Sequence, residues 1–211
     1  MVGRHAAING TSCRAVARCE ADAISRSLSG VRHSVLVRIT HWLTAASFIA
    51  LVVSGVAILL AHPRLYWGET GTLGAPSLVD LPLPMILTGQ SGWGRYMHFL
   101  AAWICVVAAL AYLPESARRG HFAKYTPAQR TAYRIVVFGL FPVMIWTGLA
   151  MSPAIISVFP LLVTVLGGQQ SARTIHFVAA NLLLLFAIGH VAMVSAAGFS
   201  KHVGAMIVGR A

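Results

Sequence analysis

Acidic residues are nearly missing from this chain. Only 5 of its 211 residues are Asp or Glu, and 10% are charged at all. A soluble domain carries about a quarter charged residues, so a water-exposed globular surface is excluded for most of the length. Cysteine is scarce as well. Cys13, Cys19 and Cys105 form no C-x-x-C pair, which indicates neither a zinc site nor a disulfide framework. The polar first 34 residues hold no early apolar h-region, so a cleaved secretory signal is not expected there. No internal repeat and no low-complexity tract is present.

What the chain has in quantity is apolar residues, 57% of the total, bunched into long runs. Crossing about 30 Å of hydrocarbon takes a helix of roughly 20 apolar residues. Four runs qualify: Val35–Ala61, Tyr96–Leu113, Tyr133–Met151 and Thr174–Ala197. Inside lipid every backbone polar group must be satisfied within the segment, so these runs predict helices. The fold class expected is an all-α membrane protein, a four-transmembrane-helix bundle with both termini cytoplasmic. Residues 1–34 are expected as a disordered cytoplasmic extension, 35–200 as the membrane domain and 201–211 as a cytoplasmic tail.

The net charge of +11 would suggest nucleic acid in a soluble protein. Here the positive-inside rule accounts for it better, and no nucleic-acid partner is expected. With both termini cytoplasmic, 13 of the 16 basic residues lie on that side, and only Arg64, Arg95 and Arg173 face the other. The segment from His62 to Arg95, rich in glycine and proline, is a long non-cytoplasmic loop, of a length usually functional or disordered. Ala154–Gly168 is apolar but short and broken by Pro160, which fits an interfacial or re-entrant segment. Pro142 should kink the third helix.

Nine histidines carry the chemistry. His5, His33, His121 and His202 lie in polar flanks, and His62 sits where the first helix exits. His41, His98, His176 and His190 fall inside the spans, where an ionisable side chain is costly and marks function by default. His176 and His190 are 14 residues apart. That is nearly four turns, so they share a face and lie about 21 Å apart along the axis. By depth, His41 pairs with His190 near the cytoplasmic surface, and His98 with His176 near the opposite one. Two such pairs suit two bis-histidine haems, because imidazole is a good iron ligand. Filling both axial positions favours electron transfer over oxygen binding. The absence of C-x-x-C-H excludes covalent c-type attachment. A metal-ion transporter or a proton pump would want carboxylates along its path, and the four spans contain none.

Arg38, Arg95 and Arg173 each stand three residues before one of these histidines. One turn toward the surface is where haem propionates would emerge, and arginine pairs well with carboxylates. Arginines also flank membrane helices by snorkelling. Gly55 lies 14 residues after His41 on the same face, where it would admit a porphyrin or serve ordinary small-residue helix packing.

The stretches RITHW (38–42), RYMHFLAAW (95–103), RTIH (173–176) and GH (189–190) resemble the prokaryotic b-type cytochromes of the cytochrome b561 fold. These include the gamma subunits of formate dehydrogenase, hydrogenase b-type subunits and thiosulfate-reductase membrane subunits. KYTPAQRTAYRIV (124–136), leading to TGLAMSP (147–153), is similar to the third-helix region of the thiosulfate-reductase-like branch. The resemblance covers roughly residues 31–200. It implies a di-haem b subunit of the bacterial inner membrane, with His41, His98, His176 and His190 as ligands. Such a subunit passes electrons between a periplasmic molybdopterin or iron–sulfur partner and the quinone pool. A quinone site is expected near the cytoplasmic haem, between the first and fourth helices. The alternatives are a stand-alone superoxide:quinone oxidoreductase, which would need a basic funnel outside the membrane, and a haem-free anchor.

Overall fold

The computed structural model describes residues 34–71, 75–81, 90–119 and 127–209. The expected N-terminal extension, with His5 and His33, lies outside them, as does His121.

Four helical spans form the body. α1 is Val35–Ala61, opened by Ser34, whose hydroxyl accepts the Val37 N–H. α2 is Gln90–Arg119, and its membrane-spanning part is Gly92–Pro114. The third span begins as α3, Pro127–Ile135, passes through a π-helical turn at Val136–Leu140, and ends as α4, Phe141–Ala150. The irregularity expected at Pro142 takes this form: the Phe141 N–H reaches back five residues to the Val136 carbonyl just before the proline. The segment read as interfacial folds into two single turns, α5 (Pro153–Ile156) and α6 (Leu161–Thr164). Trp146 Nε1 donates to the Leu162 carbonyl and ties α6 to the third span. α7, Gln169–Ala196, is the fourth span.

Only 11% to 17% of each span's most apolar stretch is buried in protein, so lipid must solvate the rest. Ile49, Val53 and Val56 on α1, and Leu182, Leu185 and Ile188 on α7, all point outward. The packed seams are made of small side chains instead. Ser47, Ser54 and Ala57 on α1, and Ala101, Cys105 and Ala108 on α2, are buried. Gly94 brings the α2 backbone so close that a Cβ there would lie 3.3 Å from the Ala57 Cβ. Small residues let backbones approach and gain dispersion contact where no hydrophobic drive exists between helices. The closest backbone packing pairs α1 with α2, and α4 with α7.

The described part of the long loop folds onto the bundle. Arg64–Leu65 (β1) and Val79–Asp80 (β2) form a short antiparallel ladder, with Arg64 opposite Asp80 and Leu65 opposite Val79. Leu65 and Tyr66 are buried. From there the loop docks on the start of α7: the Thr174 hydroxyl donates to the Tyr66 carbonyl at 2.7 Å. The Gly68 carbonyl accepts from the N–H groups of Gln170 and Ser171. The loop therefore satisfies orphan donors that a helix N-terminus must place somewhere. At the other end the segment read as a tail is helical: α8, Phe199–Val208, follows Gly198 and folds back onto the start of α1.

Candidate functional site

α7 carries two of the four intramembrane histidines, and one comes from each of α1 and α2. His41 on α1 meets His190 on α7 with ring centroids 6.5 Å apart and planes tilted by 60°. His98 on α2 meets His176 on α7 at 6.2 Å and 58°. All four side chains are half-buried. The two levels are separated by the 14-residue spacing within α7, about 21 Å along its axis. Among the described residues no three of His, Cys, Asp or Glu gather as a ligand set for a bare ion, so the imidazoles meet strictly in twos.

Each level has its own supports. At the His98–His176 level, Ser54 Oγ lies 3.0 Å from His98 Nδ1 and Thr147 Oγ1 lies 2.8 Å from His176 Nδ1. Both hydroxyl residues are fully buried. Each is followed by a glycine that faces the ring: a Cβ on Gly55 or Gly148 would lie in ordinary contact, 3.7 Å from Cε1 of His98 or His176. At the His41–His190 level, the Tyr133 hydroxyl is 3.3 Å from His190 Nδ1. Phe186 stacks near-parallel to the His190 ring, with centroids 6.3 Å apart, and Trp42 meets His41 edge-on at 5.5 Å.

The expected accessory residues are placed as follows. Gly55 faces the His98 ring edge. Arg38 Nε donates to the Met206 carbonyl in α8 at 3.2 Å. Arg173 donates to the His62 carbonyl at the loop end of the bundle. Arg95 is exposed at that same end. Burial, then the nearby Arg173 and Arg95 charges, hold the His62 imidazole below its ordinary pKa. Three basic groups thus share the mouth above the His98–His176 pair.

Sequence reasoning missed Ser54, Thr147, Tyr133, Gly148 and Phe186. One signal for the first two was present: a hydroxyl–glycine dipeptide recurs in the first and third spans, as Ser54-Gly55 and Thr147-Gly148.

The sequence profile of the prokaryotic cytochrome b561 family matches residues 32–209, which takes in all four spans and α8. The chain is also similar to a putative protein-methionine-sulfoxide reductase subunit, YedZ1, of Azospira oryzae. The two are 28% identical over 192 residues, covering 77% of this chain and 89% of that protein. No solved structure matches. A profile match of that extent, over a bundle whose intramembrane histidines meet across its helices, leaves one conclusion: this chain belongs to the prokaryotic cytochrome b561 family, and it is a multi-pass, b-type-haem-binding electron-transport protein of the membrane.

Proposed function

We propose that the chain binds two haem b groups, one held by His41 and His190 and the other by His98 and His176. We further propose that it connects a periplasmic redox partner to the quinone pool of the bacterial cytoplasmic membrane. The observation that carries this is the ring separation. A metal–imidazole bond of about 2.0 Å, plus about 1.2 Å from nitrogen to ring centre, gives about 6.4 Å between two imidazoles on one metal ion. The observed 6.5 and 6.2 Å bracket that value. Two nitrogens alone are a poor set for a bare ion, which wants four or more donors. They do suit a macrocycle that brings its own equatorial nitrogens. Bound haem supplies reversible one-electron chemistry at iron.

The rest is done by the chain's residues. Ser54, Thr147 and Tyr133 orient imidazoles through Nδ1. The lipid-clad helices exclude water from both levels. Arg38, Arg95 and Arg173 stand near the two surfaces as cationic partners for haem carboxylates. With both termini cytoplasmic, as the basic-residue asymmetry favours, the His98–His176 level faces the periplasm. The His41–His190 level then faces the cytoplasm, and the quinone site is assigned beside it, between α1 and α7. The similar protein from Azospira oryzae is named as a reductase subunit, which favours a separate partner, of the molybdopterin or iron–sulfur class, carrying the substrate chemistry.

A second reading has one observation behind it: the cluster of His62, Arg95 and Arg173 at the mouth above the His98–His176 pair, which would attract an anion such as superoxide. Purification of the chain from native membranes tests both. The expected result is two haems per polypeptide, b-type reduced-minus-oxidised bands and a co-purifying redox subunit. Superoxide-driven quinone reduction by the isolated chain would favour the second reading, and a colourless preparation would end both.

A further inference from the structure

We propose that Ser54 and Thr147 are positioning residues that lock the tautomer of the His98 and His176 ligands and thereby set the redox poise of that level. This rests on the di-haem reading above. Ser54 Oγ lies 2.7 Å from the Ala50 carbonyl and 3.2 Å from that of Leu51. Thr147 Oγ1 lies 2.7 Å from the Val143 carbonyl and 3.2 Å from that of Met144. A hydroxyl has one proton to give, and in both residues the nearest acceptor for it is a carbonyl of the preceding turn, at 2.7 Å. A carbonyl can only accept. The remaining contact, to His98 Nδ1 or His176 Nδ1, must then have the oxygen accepting and the ring donating.

Each imidazole is therefore held as the Nδ1–H form, with Nε2 left as a bare lone pair. That is the nitrogen a metal would take. Both hydroxyls are fully buried, so water cannot easily substitute for them. The two arrangements are built alike on separate helix pairs. In each, the hydroxyl of a hydroxyl–glycine dipeptide on one helix (α1, α4) faces the histidine of a neighbouring helix (α2, α7), and a Cβ added to the glycine would lie in ordinary contact with the ring, 3.7 Å from Cε1. A ring that donates through Nδ1 becomes a more basic ligand. The effect grows when the acceptor is itself polarised by donating onward. A more basic ligand favours the oxidised metal. His190 differs: its Nδ1 neighbour is the phenol of Tyr133, at a longer 3.3 Å. The two levels thus differ in the group that faces Nδ1.

The test uses the full chain purified from membranes, with Thr147→Val, Thr147→Ser and Ser54→Ala. Valine keeps the shape of threonine without the hydroxyl, and serine keeps the hydroxyl. The readouts are haem content, an optical redox titration and the low-spin ferric EPR signals. In Thr147→Val and in Ser54→Ala, one midpoint potential should move positive and one ferric signal should change, or that haem should be lost, while the other haem stays as in wild type. Thr147→Ser should restore the wild-type values. Full haem content with both potentials and both signals unchanged in Thr147→Val and Ser54→Ala would overturn the inference and leave the di-haem reading standing. Retention of both haems in His176→Ala would overturn the ligand assignment, and this inference with it.

Discussion

Gly168 faces Gly68 so closely that a Cβ on Gly168 would fall 2.5 Å from the Gly68 carbonyl oxygen. That carbonyl is the acceptor for the first free N–H groups of α7, at Gln170 and Ser171. The Gly68 N–H in turn donates to Ser171 Oγ at 2.8 Å. Gly168 also has φ +113°, a conformation open to glycine and strained for other residues. Gly168→Ala would therefore meet backbone, not a flexible side chain, and carry backbone strain of about 1–3 kcal/mol besides. The expected outcome is a fall in thermal stability in detergent, with faster amide exchange at Gln170 and Ser171. Unchanged exchange there would mean that the loop does not cap α7.

The histidine pairs make a sharper prediction. His176→Ala should remove only the haem shared with His98, and His190→Ala only the haem shared with His41. His41→Ala should match His190→Ala in spectrum and in remaining haem content. If His41→Ala instead matched His176→Ala, the assignment of residues to levels would be reversed.

His62 gives a pH dependence whose sign is fixed. Its folded-state pKa lies below the ordinary value of 6.5, through burial first and then the Arg173 and Arg95 charges. The unfolded chain therefore binds a proton that the folded chain resists, and stability rises with pH across that interval. The contribution is complete above about pH 6.5 and is lost as pH falls through the lower, folded value. The imidazole is largely solvent-exposed, so screening keeps the effect small. Melting of the wild type should drop more between pH 7.5 and pH 5 than melting of His62→Gln. Equal drops would assign the pH response to other groups.

The spans were legible because lipid imposes a length and a composition that few other environments demand. Depth within the spans then grouped His41 with His190 and His98 with His176, and the structure brings these same rings within 6.5 and 6.2 Å. The hydroxyl supports were not legible. Ser54 and Thr147 read as ordinary small residues of a membrane helix, and only the azimuth of each helix shows that they face an imidazole. The partners of Arg38 and Arg173 escaped notice for a related reason. Their acceptors are backbone carbonyls of distant segments, at Met206 and His62, and a carbonyl has no signature in sequence. α8 was missed because ten residues with a lysine and a histidine fall short of a span, and its docking on α1 joins residues 168 and 164 positions apart.

That docking yields the last prediction. The final carbonyls of a helix lack partners within it, and Met206 is in the last turn of α8. Its carbonyl accepts from Arg38 Nε and from Trp42 Nε1, both at 3.2 Å, two donors one turn apart on α1. Gly209 closes the helix at φ +80°, and a Cβ there would lie 2.7 Å from an Arg38 guanidinium nitrogen. A cation at a helix C-terminus is favourable by about 0.3–1 kcal/mol at an exposed site. A neutral hydrogen bond adds about 1 kcal/mol. Trp42→Phe alone should loosen α8 only slightly, because Arg38 still serves the carbonyl. Trp42→Phe combined with Arg38→Met removes both donors and should cost more than the sum of the single changes, since residues sharing one partner couple. Amide exchange across 203–209 in lipid nanodiscs reads this directly. Protection in the double variant equal to wild type would mean that lipid, rather than α1, holds the helix in place.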